Sequence, residues 1–390
     1  MSLTGEVADL PRGGKGVPQI DDAREFSLAE RDRRWSGVRE LAAAAGLDAI
    51  FVPLGNGQDA QYLTQLRNSC IILPTDGRSP WVVADRGQTS SWLDDVHQAV
   101  RDWAQLLTDG LRGLGLSRAR LGVAGLSGGG WTHTACVEGS VDHAPYQYVA
   151  AQHPDATFAD ATAVVATMRA VKSEEEIERL AGVTKMAAAA LDRVQPWLRP
   201  GLSEQAFHAR LTELLLREGS SYRPSALSAG GRGVPRPGAL LEDGEVIHFV
   251  IRTAVGGYSS LVAQSLPVGE GAAGARDVEA AHRDLYELTL DLARSGVTVG
   301  ELRASFAKLA LPERFATTLS IEGVGLGEDG PLVDPLAAAS PDGLCLSTNN
   351  VLVLAPSVEL KDDPRQRIRA GAPAIVTDRG CVPISGGHAA

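Results

Sequence analysis

Residues 245–269 read EVIHFVIRTAVGGYSSLVAQSLPVG, two apolar runs rich in β-branched residues on either side of Gly256-Gly257. A Gly-Gly pair between such runs marks a tight hairpin turn, because glycine accepts the positive φ angles that the turn demands. Side chains alternate between the faces of a strand, so His248, Val250 and Arg252 share one face of the first arm. Upstream, Ala161–Trp197 reads as almost continuous helix with a charged patch at Lys172–Glu178. LRPGLS (198–203) breaks it, and Ser203–Glu218 resumes as an amphipathic helix. Downstream, a helix pair is expected over about 275–310, followed by a strand-rich end. Helices first and a twisted, largely antiparallel sheet after describe an α+β domain.

The first part of the chain is organised differently. Apolar residues at helical spacing over 29–46 (Trp35, Val38, Leu41, Ala42, Ala45) precede Gly46 as a C-cap. LDAIFVPLG, SCIILP, PWVVAD and ARLGVAG read as short buried strands, with a helix expected over 90–115 (SSWLDDVHQAVRDWAQLLTDGLRGLG). That alternation predicts an α/β layer domain over residues 1–165 and the α+β domain over 166–390.

Two domains agree with the length of 390 residues, and 44% apolar with 22% charged residues is ordinary for a soluble globular chain. A formal net charge of −11 argues against nucleic acid, whose phosphates select basic surfaces. No apolar run approaches the ~20 residues a membrane span needs. The first residues, MSLTGEVADLPRGGKG, have no apolar stretch of the signal-peptide kind. Cys70, Cys136, Cys345 and Cys381 are scattered, which reads as reduced thiols in a cytoplasmic protein.

Five segments, in order, resemble the creatinase, prolidase and methionine aminopeptidase superfamily. Arg33–Leu63 (RRWSGVRELAAAAGLDAIFVPLGNGQDAQYL) is similar to its N-terminal domain, and Met168–Leu180 (MRAVKSEEEIERL) to the junction that opens its catalytic domain. Leu198–Glu204 (LRPGLSE) resembles its PGMTE turn, Gly244–Gly269 its central hairpin, and Glu322–Leu326 (EGVGL) its HGIGL loop. The resemblance implies a C-terminal pita-bread domain, a curved sheet with flanking helices, behind a creatinase-type α/β domain. It also implies a homodimer.

Peptidases of that superfamily hold two divalent ions with two Asp, one His and two Glu. Hard oxygen ligands offset the repulsion between the ions while a bridging water becomes the nucleophile. Carried over by flanking text, the two Asp fall on Val250 and Leu261, the His on Glu322, and the two Glu on Ala355 and Gly371. A slipped register does not restore them, since 246–269, 346–358 and 364–377 contain no Asp or Glu at all. No cofactor is therefore expected. The family His that follows a Pro before the hairpin is also replaced, because Pro235 is followed by Arg236.

What stands in the pocket instead is Arg252, His248, Glu322 and Arg236. One reading has Arg236 and Arg252 binding a carboxylate or phosphate while His248 and Glu322 handle protons. The other has Arg252 and Glu322 pairing with each other to fill the void, as buried charges do, with His248 a hydrogen-bonded core residue. Tyr258 belongs to the substrate-binding set. Creatinase-type dimers project groups over the partner's pocket, which makes Tyr62, Arg67 and Asn68 candidate contributors in trans, the other reading being ordinary surface or interface packing. Two glycine motifs are set aside. Gly125–Gly129 matches G-x-S-x-G, but the text that follows does not open a helix. Gly323–Gly327 lacks the βαβ context of a dinucleotide site.

The leading expectation is a metal-independent enzyme cutting a C–N or amide bond of a small, amino-acid-like anion. The alternative is an inactive pseudopeptidase that binds a peptide or partner protein in the old groove. The partner is a small-molecule or peptide ligand on either reading.

Overall fold

The computed structural model describes residues 25–127, 140–221, 226–229, 238–269, 275–333 and 342–384. The first part runs α1 (Leu28–Ala44), β1 (Ala49–Val52), α2 (Gly57–Thr64), β2 (Ser69–Pro74), β3 (Trp81–Asp85), β4 (His97–Ala99), α3 (Trp103–Gly113), β5 (Arg120–Val123), α4 (His143–Gln152) and β6 (Thr157–Asp160). The second runs α5 (Thr162–Ala170), α6 (Glu174–Val194), a 3-10 turn, α7 (Glu204–Arg217), β7 (Ala226–Ala229), β8 (Val246–Val255), β9 (Tyr258–Pro267), α8 (Ala275–Leu292), α9 (Val299–Phe306), β10 (Phe315–Gly325), β11 (Gly327–Val333), β12 (Val351–Leu360), β13 (Arg367–Arg369), β14 (Pro373–Val376) and β15 (Cys381–Pro383).

β1–β6 form one mixed sheet in the order β4-β3-β2-β1-β5-β6. Its inner strands are apolar on both faces and lie between helix layers, as mixed α/β sheets require. The expected helix over 90–115 holds only from Trp103. Apolar residues 92, 93, 96 and 99 do recur at helical spacing, but tertiary contacts override it. Trp92 is buried with its indole N–H donated to the Phe26 carbonyl at 2.9 Å, and His97–Ala99 pairs parallel with β3 as an edge strand. The long helix expected from Ala161 is two. Ser173 and Glu176 form a capping box, which starts α6 afresh after Ala170.

In the second part β8 and β9 form the expected hairpin, pairing from Val255↔Tyr258 outward to Val246↔Pro267. β10, β11, β12, β14 and β15 make a second antiparallel set with β13 on β12. Bridges Tyr258↔Leu326 and Ala263↔Gly371 join the two sets into one curved surface. Its convex side is apolar. Ile247, Phe249 and Ile251 pack with Phe207 and Leu211 of α7, and Ile321, Leu352 and Leu354 lie in one core with Val278 and Leu285 of α8. The alternate residues of each strand face the concave side, and that is where a site is expected.

Candidate functional site

Strand alternation sets His248, Val250 and Arg252 of β8 beside Ser265, Ala263 and Leu261 of β9 respectively. Glu322 and Val324 of β10, and Val353 and Ala355 of β12, complete the floor, with Glu322 paired to Val353 in register. Leu261, Ala263, Val324, Val353 and Ala355 are buried in a core shared with the first domain. The floor is thus an apolar surface interrupted by one charged pair.

That pair is Arg252 and Glu322. Its guanidinium Nη1 donates to one carboxylate oxygen at 2.6 Å and Nη2 to the other at 3.2 Å, a bidentate fork. Both side chains are half-buried, 28% and 15% exposed, so the pair sits at the groove surface rather than in the core.

His248 lies four residues away along β8, about 13 Å of strand. Its Nδ1 is 2.7 Å from Ser265 Oγ, which also accepts the Arg369 N–H at 2.9 Å. Burial, reinforced by the charges of Arg367 and Arg369, pushes the imidazole down to about 4, so it is neutral near pH 7. The two groups expected to handle protons therefore stand in separate places, one tied to Arg252 and the other to Ser265.

The five positions where the resemblance places metal ligands offer no donor set. Val250, Leu261 and Ala355 are apolar, and Glu322 is engaged by Arg252. Gly371 has no room for any side chain, since a Cβ there would lie 2.3 Å from the Leu354 carbonyl oxygen and 2.9 Å from Ala355 Cα. Among the described residues no group of three or more His, Cys, Asp or Glu is placed to hold a metal ion. The residues present do not fit a pair of divalent ions.

Tyr258 and Arg67 are brought together, but not in the groove. Tyr258 ends the hairpin at the junction of the two domains, where its hydroxyl donates to Glu176 at 2.9 Å and accepts from Arg34 at 2.9 Å. Burial raises this phenol well above its ordinary value. Arg67 lines a small cavity beside it. Arg236 lies outside the described residues. Tyr62 is buried at the junction, where its hydroxyl donates to the Met168 carbonyl at 3.1 Å, and Asn68 is exposed, donating to Asp85 at 3.0 Å. Of the G-x-S-x-G text, Ser127 donates to Asp160 at 2.5 Å, and the residues after it lie outside the described ones.

Two neighbours of His248, Ser265 and Arg369, join it in the structure. Ser265 was legible, because a two-residue turn at Gly256-Gly257 sets it opposite His248. Arg369 was not, since only the return of β13 against β9 brings it there.

The pattern of metallopeptidase family M24 matches residues 178–378, just over half of the chain. The chain belongs to family M24. Among M24 proteins it is 23% identical over 172 residues to methionine aminopeptidase B of Synechocystis sp., covering 40% of this chain and 63% of that protein. It is 26% identical over 167 residues to the Xaa-Pro dipeptidase of Lactobacillus delbrueckii subsp. lactis, covering 41% and 45%. The chain thus spans less than two thirds of the length of the curated M24 relatives it matches. The solved Xaa-Pro dipeptidase of Bacillus anthracis superposes with a TM-score of 0.72 over 93% of this chain and 98% of that one, at 17% identity. The M24 architecture, a pita-bread domain behind an α/β domain, is therefore shared along nearly the whole chain. No helix among the described residues is long and apolar enough to cross a membrane.

Proposed function

We propose that this M24 protein acts without a metal and uses its groove to bind a short peptide or small amino-acid-like anion that it does not hydrolyse. The observation that carries the reading is the bidentate pair of Arg252 and Glu322, which satisfy each other where the peptidases' ion ligands would stand. A ligand carboxylate recognises such a site by exchange. It replaces Glu322 on the Arg252 fork, while the released Glu322 meets a ligand ammonium or water. Leu261, Val324 and Ala355 give the neighbourhood of the pair an apolar, buried backing. Homodimerisation and a cytoplasmic location accompany this reading.

The neutral imidazole of His248 favours a second reading, a metal-free hydrolase or lyase. With Nδ1 on Ser265, Nε2 is the nitrogen that would accept a proton from a bound substrate near pH 7. The distance of about 13 Å along β8 from His248 to the Arg252–Glu322 pair weighs against it, because one small substrate would have to reach both.

The test incubates metal-stripped full-length protein with a panel of Pro-containing dipeptides, amino acids and guanidino compounds. Binding is followed by calorimetry and ligand loss by mass spectrometry, with and without added Mn(II). Micromolar binding without consumption, lost in Arg252→Met and unchanged by Mn(II), is expected. Consumption that His248→Gln abolishes would establish the enzyme instead. Proline release that appears only with Mn(II) would overturn both readings.

A further inference from the structure

His248 stands opposite Ser265 across the β8–β9 hairpin, on the concave face, with its side chain half-buried. Among the described residues, Ser265 Oγ meets His248 Nδ1 at 2.7 Å, the Arg369 N–H at 2.9 Å and the Arg369 carbonyl oxygen at 2.9 Å. A hydroxyl has one proton to donate and two lone pairs with which to accept. The Arg369 N–H can only donate and the Arg369 carbonyl can only accept. The hydroxyl proton therefore goes to the carbonyl, since otherwise two oxygens would face each other at 2.9 Å with no proton between them. Both lone pairs of Oγ then accept, one from the Arg369 N–H and one from the imidazole.

His248 is thus the Nδ1–H tautomer, and Nε2 carries the lone pair. Burial beside the charges of Arg367 and Arg369 lowers this imidazole to about 4, so near pH 7 Nε2 stays unprotonated. Nδ1 is turned along the sheet toward β9, which leaves Nε2, the outer nitrogen of the ring, directed away from the floor. Such a ring is a hydrogen-bond acceptor of fixed direction. The two cations that hold it neutral also disfavour an ammonium beside it, so the group it suits is an uncharged N–H or O–H.

Val250 lies between His248 and Arg252 on the same face, with Ala263 and Leu261 across from it and from Arg252 on β9, and all three pack in or against one apolar core. The acceptor and the Arg252 fork are therefore about 13 Å apart along β8 with an apolar stretch between them. A single amino acid is too short to touch both. An extended chain of about four residues, at about 3.3 Å each, is long enough.

We propose, resting on the reading that Arg252 takes a ligand carboxylate, that Ser265 is a positioning residue which locks His248 with Nε2 unprotonated, and that the groove thereby selects elongated ligands with a carboxylate at Arg252 and an uncharged hydrogen-bond donor at His248. Ser265 acts through the imidazole and does not itself touch the ligand.

Two measurements on the full chain test this. Nitrogen-15 NMR of the imidazoles reads the tautomer with no ligand added. His248 is expected to show Nδ1 protonated and Nε2 unprotonated near pH 7. Ser265→Ala should show both tautomers in exchange, and Ser265→Thr, which keeps the hydroxyl, should restore the single one. Calorimetry then compares acetyl-tetra-alanine with acetyl-alanine and with a tetra-alanine twin N-methylated at its first alanine nitrogen, about 13 Å from the carboxylate. The parent peptide should bind at least about tenfold more tightly than either. Ser265→Ala and His248→Leu should bring parent and twin within about twofold of each other, and Arg252→Met should weaken all three peptides. A protonated Nε2 in the unaltered protein overturns the proposal. So does equal binding of parent and twin that Arg252→Met still weakens, and in both cases the carboxylate reading of the groove stands. Absence of binding by all three peptides at about 10 mM, or binding that Arg252→Met leaves unchanged, overturns the carboxylate reading and the proposal with it.

Discussion

The groove floor and the domain junction use charge in opposite ways. In the groove, the five positions where the resemblance places ion ligands carry three apolar residues, a glycine without room for a side chain, and Glu322 in a half-buried pair with Arg252. At the junction, charge is concentrated and dry. Arg34 is 1% exposed, donates to Glu30 at 2.6 Å, and stacks 4.2 Å from the Tyr62 ring centroid. Burial alone would raise the Glu30 carboxyl, and the Arg33 and Arg34 guanidiniums overcome it and hold it below the ordinary value. Glu176 caps α6, takes Arg33 at 2.9 Å and accepts from Tyr258. Beside this, Asp329 of β11 pairs at 2.7 Å with both Arg169 and Lys172, and Arg169 reaches Asp59 of α2 at 2.7 Å. The contrast teaches that buried charge in this chain holds domains together, while the concave face of the pita-bread sheet is mostly apolar.

The largest expected effect lies at the junction. Glu176→Ala removes a capping-box partner and strips a counter-charge from buried Arg34 and from Arg33, so urea unfolding should show a loss of about 3–5 kcal/mol. A loss under about 1 kcal/mol would break the contrast, since the junction would then be no more structural than a surface ion pair.

A smaller effect is expected from His248 at the groove's far end. The folded chain keeps this imidazole neutral down to about pH 4, whereas the unfolded chain takes up a proton near 6.5. Stability from this group is therefore present above pH 6.5 and is lost as pH falls toward 4, by about 3 kcal/mol in all. His248→Gln retains a bond to Ser265 and should flatten that part of the stability profile. Parallel profiles for the two proteins would show that the imidazole is not held neutral by its surroundings.

The smallest effect sharpens the comparison from the groove side. Removing both members of the half-exposed pair, Arg252→Met with Glu322→Met, should change stability by no more than about 1 kcal/mol, because neither charge is left uncompensated. Glu322→Met alone should cost more than the double variant. A double variant that unfolds the domain would mean the pair is structural cement like that at the junction.

Much of this was legible in the chain itself. The hairpin, its turn and the common face of His248, Val250 and Arg252 follow from alternation around Gly256-Gly257, and the lack of carboxylates across three strands needs no coordinates. The capping box of Ser173 and Glu176, which starts a helix anew after Ala170, is also a local signal in the chain. Helical periodicity misled over residues 90–102, where Trp92 finds a buried seat against Phe26 and the sheet edge recruits His97–Ala99. Whether Arg252 would meet a ligand or Glu322 could not be read either, since the two are 70 residues apart.

What the sequence by itself determined is the pita-bread architecture and the absence of Asp and Glu from 246–269, 346–358 and 364–377, because strand period, turn chemistry and residue type are local properties. Only the tertiary structure decided where the remaining charges go. It joined Arg252 to Glu322, isolated His248 beside Ser265 and Arg369, and drew Tyr258 away from the groove into the junction. Ion pairing and burial act between side chains distant in sequence, and their partners are chosen by how the sheets curve and the domains dock.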